Sequence, residues 1–324
     1  MLYIIDSSTD PYWNLAAEEY LLYNFSDPVF RLWRNAPSII VGRNQNALAE
    51  INADYVRSRS IAVVRRLSGG GAVFHDLGNV NYTFIEKKIE GEQTSDMFRR
   101  CTAPIISALQ GLDVAASLEG RNDLLIEGRK FSGNAIAVHR DRVLQHGTLL
   151  FSASIAELGD ALLSRPEKYS DKGVKSNVTR VTNISSHLKS PMNVEQFMDY
   201  LRVAIAGGEI YQYSAEDLKA ISALSDSKYR TDSWNYGSGP RYSFSKVKKL
   251  PCGLVELYMD VNKGVIEHLD IRGDYFFIRP TEEFCAALVG IEHNYEKIAG
   301  AISTISPGDY FGPVSVEELT DMFF

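Results

Sequence analysis

A chain of 324 residues is long enough for one large domain and a smaller companion, each with its own core. Its 45% apolar content is that of a globular protein, and 34 basic against 41 acidic residues give a formal charge of −7, which excludes general attraction to nucleic acid or an anionic membrane. Any anion site must therefore be local. The scattered cysteines Cys101, Cys252 and Cys285 lack metal-ligand spacing and suit reduced thiols in a cytoplasmic setting. The start, Met1 to Asp6, has no basic secretion signal, and no apolar run reaches membrane-spanning length, so a soluble intracellular protein is expected.

A first strand is predicted at Leu2 to Ile5, then a helix opened by Asp10-Pro11 with Tyr12, Leu15, Ala16, Leu22 and Tyr23 near one face and Glu19 at its rim. Strands follow at Val29 to Trp33 and Ser38 to Gly42, a short helix at Asn52 to Arg59, and a strand at Ile61 to Val64. Asn79 to Phe84 alternates as a strand, and Ser95 to Leu109 is helical with Pro104 expected to kink or divide it. From Asp123 to Ser152 the pattern changes to tight hairpins turning at Glu127-Gly128 and near Asp141, which implies antiparallel pairing.

Arg165 to Arg180 reads as a mobile basic loop, Pro191 to Ala206 and Ala215 to Leu224 as helices, and Ser233 to Pro240 as the end of the first domain. A hairpin around Asn262-Lys263-Gly264, helices at Pro280 to Gly290 and Glu292 to Ile302, and a last short helix from Val314 complete the chain. The fold class is thus α+β, a mainly antiparallel sheet flanked by helices, with domains at 1–242 and 243–324; a Rossmann fold is disfavoured because long crossover helices are missing.

The most informative stretch is Arg65-Arg66-Leu67-Ser68-Gly69-Gly70-Gly71-Ala72-Val73-Phe74-His75-Asp76. Consecutive glycines let backbone N–H groups converge on one anion, and two arginines add fork-shaped donors for phosphate or carboxylate oxygens. Glycines alone favour an ordinary hairpin turn with the arginines in solvent. The stretch lacks the third glycine of a dinucleotide fingerprint, the closing lysine of a P-loop, and the glycine two residues before Ser68 that a nucleophile elbow needs. A second constellation, Gly128 to Ala135 followed by His146-Gly147-Thr148-Leu149-Leu150, sends Lys130 into a strand, where its ammonium requires an anionic partner. That partner is either a ligand at the glycine loop or Glu127 or Asp123.

Together these motifs resemble the lipoate-protein ligase A family within the biotin and lipoate ligase superfamily. The resemblance rests on Ser68 to Asn79, Gly120-Arg121-Asn122-Asp123-Leu124, Lys130 with Ser132-Gly133, and His146 to Leu150. It extends to Asn14-Leu15-Ala16 with Glu18-Glu19, Trp33-Arg34-Asn35, Gly42-Arg43 with Gln45-Asn46, Lys172-Gly173 through Asn183, and Trp234 to Gly237. The fold it implies is the class II synthetase and biotin ligase-like core with a small C-terminal accessory domain.

The implied reaction activates lipoate with ATP to lipoyl-AMP, releasing pyrophosphate, and transfers the lipoyl group to a lysine of an acceptor protein. ATP and Mg2+ act as a substrate complex, and no tightly bound cofactor is expected. Implied acceptors are lipoyl domains of 2-oxoacid dehydrogenase E2 subunits and the glycine-cleavage H protein. The resemblance assigns ATP contacts to Arg66, Gly71, Ala72, Val73, Phe74 and Lys130, and lipoate contacts to Lys130, with Ser68, Gly70 and His146 beside it. It makes Lys172, Lys175 and Arg180 part of an adenylate loop; Asp123 is the candidate metal ligand, and Val73, Phe74 and Leu149 could enclose the lipoyl tail. Two competing readings are an acyl transferase working through a cysteine thioester and a non-catalytic lipoate or lipoyl-domain binder. The first needs an activated thiol near Lys130, where no cysteine lies in sequence; the second has no need of phosphate chemistry.

Overall fold

The computed structural model describes residues 1–120, 122–162, 181–207, 209–275 and 279–324, and the backbone of 169–171. Its strands are β1 (Leu2–Ile5), β2 (Val29–Trp33), β3 (Ser38–Val41), β4 (Ala62–Arg65), β5 (Val73–His75), β6 (Asn79–Lys87), β7 (Ala116–Glu119), β8 (Asp123–Ile126), β9 (Arg129–His139), β10 (Arg142–Leu150), β11 (Tyr169–Asp171), β12 (Ile210–Gln212), β13 (Tyr242–Leu250), β14 (Gly253–Asn262) and β15 (Val265–Gly273). They fall into two compact units.

The first unit comprises 1–42, 60–162 and 181–230 of the described residues. Its main sheet has the order β12-β1-β2-β6-β10-β9-β8-β7. Pairing is parallel from β12 to β2 and antiparallel from β2 to β7, so the sheet is mainly antiparallel. The hairpin between β8 and β9 turns on Glu127 and Gly128, both at positive φ (51° and 72°), which is the backbone that a two-residue turn between twisted strands requires. A second, three-stranded sheet has the order β4-β3-β5.

Strand alternation gives the main sheet two different faces. On one, Phe30, Leu32, Val80, Tyr82, Phe84 and Leu149 pack with Cys101, Ile105, Leu109, Phe197 and Leu201 in a hydrophobic core. These last five come from helices Thr94–Gln110 and Val194–Ile205. Pro104, expected to kink or divide the first of these helices, does not divide it: it lies within one unbroken element. Burial of Cys101, Ile105, Ala108 and Leu109 around it outweighs the hydrogen bond its ring removes. The other face is apolar where Ile4, Val29 and Ile85 meet Leu21 and Leu22 of helix Pro11–Asn24. Further along the same strands it turns polar, with Arg31, Asn79, Asn81 and Thr83 all buried.

The second unit comprises Arg43–Arg59, β11 and Thr231–Phe324. Its sheet β11-β13-β14-β15 is fully antiparallel, and its β14–β15 turn has Lys263 and Gly264 at positive φ. Helices Thr281–Leu288, Tyr295–Thr304 and Val316–Thr320 contribute Phe284, Leu288, Ile298, Ile302 and Leu319 to its interior. Segment 43–59 joins this unit through Arg57, which stacks on Tyr295 at 4.0 Å and pairs with Asp321. Among the described residues no helix is long and apolar enough to cross a membrane.

Candidate functional site

The glycine stretch leaves β4 at Arg65 and re-enters the three-stranded sheet at Val73. Arg66 is 5% exposed and directs its side chain back into the loop. Its Nη2 donates to the carbonyls of Gly69 (2.6 Å) and Gly71 (2.8 Å), Nη1 to Ile40 O (3.0 Å), and Nε to Ser68 Oγ (3.0 Å). Burial brings its pKa down to about 10, with Arg65 adding to that effect and Glu18 opposing it. Because trans peptides are planar, carbonyls of Gly69 and Gly71 turned onto the guanidinium aim the N–H groups of Gly70 and Ala72 the opposite way. One cation therefore moulds the donor surface that the composition suggested.

Close approach sets the glycine requirement. A Cβ on Gly42 would lie 2.0 Å from Gly70 O, and Gly70 itself has φ +92°.

Ser68 connects this loop to the main sheet. Its Oγ lies 2.5 Å from His146 Nε2, and His146 Nδ1 lies 2.9 and 3.0 Å from the two carboxylate oxygens of Glu18. Thr83 Oγ1 also donates to Glu18, and Trp33 Nε1 donates to Thr83 (2.9 Å). A carboxylate only accepts, so the His146 Nδ1 that faces Glu18 carries a proton and donates it. Burial alone raises the pKa of Glu18, but the charge and hydrogen bond of His146, the Thr83 hydroxyl and Arg31 outweigh it and hold the carboxyl below its ordinary value.

His75, beside this chain of contacts, is neutral. Its Nδ1 accepts from Asn35 Nδ2 at 3.1 Å, and burial, then the charges of Arg66 and His146, push its pKa down to about 3. The remaining proton sits on Nε2, which is buried with no partner among the described residues.

Lys130 stands on β9 opposite Leu125, and a bulge between Leu124 and Leu125 then sets Ser132 opposite Leu124 and Gly133 opposite Asp123. The lysine folds over that glycine: an ideal Cβ at 133 would meet Cε and Nζ at 3.2 Å. Its ammonium lies 2.8 Å from Asp123 Oδ1, both side chains about one-third exposed. Of the two acidic partners expected from sequence, Asp123 holds Lys130, while Glu127 pairs with Arg129. Gly133 N donates to Thr148 Oγ1, and Ala135, two residues along β9, pairs with His146. Lys130, Thr148, His146, Thr83 and Asn81 therefore share one face of the main sheet, the face that Ser68 touches.

Phe74 is buried on β5, paired with Ile39, and Val73 is half-buried. Leu149, one candidate for enclosing the lipoyl tail, belongs to the core on the opposite face, because strand alternation turns it away from His146 and Thr148. Glu19, expected at the helix rim, is buried against Lys228 Nζ (2.6 Å) and Tyr229 Oη (2.7 Å). Arg121, Lys172, Lys175 and Arg180, with most of the expected basic loop, lie outside the described residues.

No group of three or more His, Cys, Asp or Glu side chains able to hold a metal occurs among the described residues. Asp123 offers hard carboxylate oxygens suited to Mg2+, but as a single protein ligand it fits an ion carried mainly by phosphates. Burial pushes the thiols of Cys101 and Cys285 up to about 11 and raises that of Cys252, the opposite of the activated thiolate that a thioester mechanism needs.

Residues 10–206 match the Lipoyl protein ligase A/B catalytic domain family, and 239–323 match the Bacterial lipoate protein ligase C-terminus family. The chain is similar to Lipoate--protein ligase 1 of Staphylococcus aureus, with 42% identity over 96% of each chain. It is likewise similar to Lipoate-protein ligase LplJ of Bacillus subtilis, with 39% identity over 100% of both chains. Among solved structures, a lipoate-protein ligase A bound with ATP superposes with a TM-score of 0.63 and 24% identity, covering 73% of this chain and 98% of the other.

Proposed function

Since the chain belongs to the lipoate-protein ligase family, we propose that the glycine loop, Lys130 and the Ser68–His146 pair form the site at which it activates and transfers lipoate. The protein is an ATP-dependent lipoate-protein ligase. The observation that carries the site assignment is the shared sheet face on which Lys130 and His146 stand and against which the loop is pinned by Ser68.

In the first half-reaction a lipoate carboxylate oxygen attacks the α-phosphorus of ATP. A C–O–P mixed anhydride forms, the bond to the β-phosphate oxygen breaks, and pyrophosphate leaves with the electron pair. Two anions must meet, so the ammonium of Lys130 and the loop N–H groups bear the developing charge on phosphate and carboxylate. Arg66, Gly71, Ala72, Val73 and Phe74 form the nucleotide seat, with Arg66 acting through the carbonyls it holds. Asp123 is the protein group that would hold an Mg2+ ion accompanying ATP, and that ion would supply charge neutralisation of the leaving pyrophosphate.

In the second half-reaction the acceptor lysine amine attacks the activated carbonyl. An amide forms, AMP departs, and the amine gives up a proton. No enzyme nucleophile is needed, which agrees with thiols whose pKa values are raised. Ser68, Gly70 and His146 line the lipoate side. Lys172, Lys175 and Arg180 are assigned to the adenylate loop, 1–242 to the catalytic domain and 243–324 to the accessory domain. Lipoyl domains of E2 subunits and the H protein are the acceptors, in the cytoplasm.

The test combines the protein with lipoate, ATP, Mg2+ and an isolated lipoyl domain, following lipoyl-AMP, pyrophosphate and the acceptor's mass. All three products are expected. Acyl transfer from a carrier protein without ATP would support the transferase instead, and lipoate binding without any product would support the binder.

A further inference from the structure

The Lys130–Asp123 pair poses a problem for a site that must gather anions. The cation assigned to meet a carboxylate and a phosphate already has a carboxylate 2.8 Å away. Its arrangement is set by the strands: a regular β8–β9 register would put Ser132 opposite Asp123, whereas the bulge brings Gly133 there and leaves the lysine stem a path over the missing side chain. Neither group is deeply buried, so the pair contributes little to folding. Its effect is on what else Lys130 can bind.

We propose that Asp123 is a resting-state counterion that positions the Lys130 ammonium over Gly133 and withholds it from single anions until substrate carboxylate and nucleotide phosphate arrive together. This rests on Lys130 being the cation of the site. An anion approaching the empty site meets a neutralised pair and the repulsion of the Asp123 carboxylate, which weakens its binding. When the ammonium moves to the reacting oxygens, Asp123 is left free for the divalent cation that accompanies ATP. Asp123 is thus a positioning residue for Lys130, and it makes lipoate or a nucleotide alone a poorer ligand than the two combined.

The test uses the full chain carrying Asp123→Asn, which keeps the side-chain shape and removes the charge; Asp123→Ser serves if that variant melts early. Calorimetry measures binding of lipoate alone and of AMP alone, each without metal, and steady-state assays measure adenylation. At partly exposed sites the lost repulsion corresponds to roughly three- to tenfold tighter binding of at least one anion. The same variant should turn over at least about threefold more slowly because the ammonium is no longer held in place, and Asp123→Glu should restore part of that rate. A merely structural role would not tighten binding while slowing turnover. Unchanged or weaker binding of both anions, or unchanged turnover, overturns the proposal. Lys130→Ala separates the two levels: if it loses anion binding while Asp123→Asn changes nothing, only the counterion role fails. If Lys130→Ala itself binds and reacts normally, the assignment of Lys130 fails.

Discussion

Gly42 lies outside the glycine-rich stretch, yet its lack of a side chain sets the shape of that loop. In Gly42→Ala the new Cβ would start 2.0 Å from Gly70 O, and real Cβ atoms essentially never come within 3.0 Å of such an atom, so the loop must retreat by about an ångström. The Arg66 bonds to Gly69 O and Gly71 O, now 2.6 and 2.8 Å, would stretch beyond useful length. Hydrogen bonds from a charged donor are each worth about 1.5–3 kcal/mol, so the loop loses about 3–6 kcal/mol of internal support. Misplacement of that size at a reacting centre costs on the order of 100-fold. Calorimetric titration with ATP should show 10- to 100-fold weaker binding in a variant that remains folded by circular dichroism. Gly69→Ala is the internal contrast, since a Cβ there meets nothing within 4 Å, and its effect should stay within a few-fold. ATP affinity within threefold of the parent for Gly42→Ala would refute the claim that this close approach shapes the nucleotide seat.

Three further outcomes can be checked independently. Glu18→Ala leaves the buried His146 Nδ1–H and Thr83 hydroxyl without their acceptor and should cost about 3–5 kcal/mol, while Glu18→Gln, which keeps one oxygen, should cost less; urea midpoints give the order. His75 has a folded pKa of about 3 against an ordinary 6.5, so the unfolded chain takes up the proton first as pH falls. Its share of stability is therefore complete above about pH 6.5 and lost at about 1.4 kcal/mol per pH unit down to about pH 3, and His75→Gln should flatten the slope of urea-derived stability between pH 7 and pH 5. Cys101→Ala should leave lipoyl transfer within about twofold, because that thiol is buried in the core with its pKa pushed up; loss of transfer would revive the thioester route.

Much of this architecture is local and so was legible. The hairpins from Asp123 onward, the Asp10-Pro11 helix start and the glycine stretch each carry their own turn or capping chemistry. The short strands β5, β7 and β12 were not read, since three or four residues of mixed polarity become a strand only when a partner supplies the ladder. At the site, sequence found Arg66, Ser68, Lys130 and His146 but could not say which touch. It also treated Arg66 as a bare phosphate cation, whereas the fold commits its donors to loop carbonyls and Ser68. Glu18 was the principal omission: it sits beside Glu19 in a helix buried on most sides, and only the approach of β10 distinguishes the carboxylate that meets His146 from the one that meets Lys228. The glutamate pair in the Asn14 to Glu19 segment was the available signal.

The central claim is that Lys130 brings a carboxylate and an ATP phosphate together on the polar sheet face. Its most direct test is single-turnover formation of lipoyl-AMP and pyrophosphate from lipoate, ATP and Mg2+ by the parent and by Lys130→Ala, with melting curves confirming that both are folded. Adenylate formation by the parent and its loss by at least about 100-fold in the variant are the predicted result. Near-normal adenylate formation by a folded Lys130→Ala protein would contradict it.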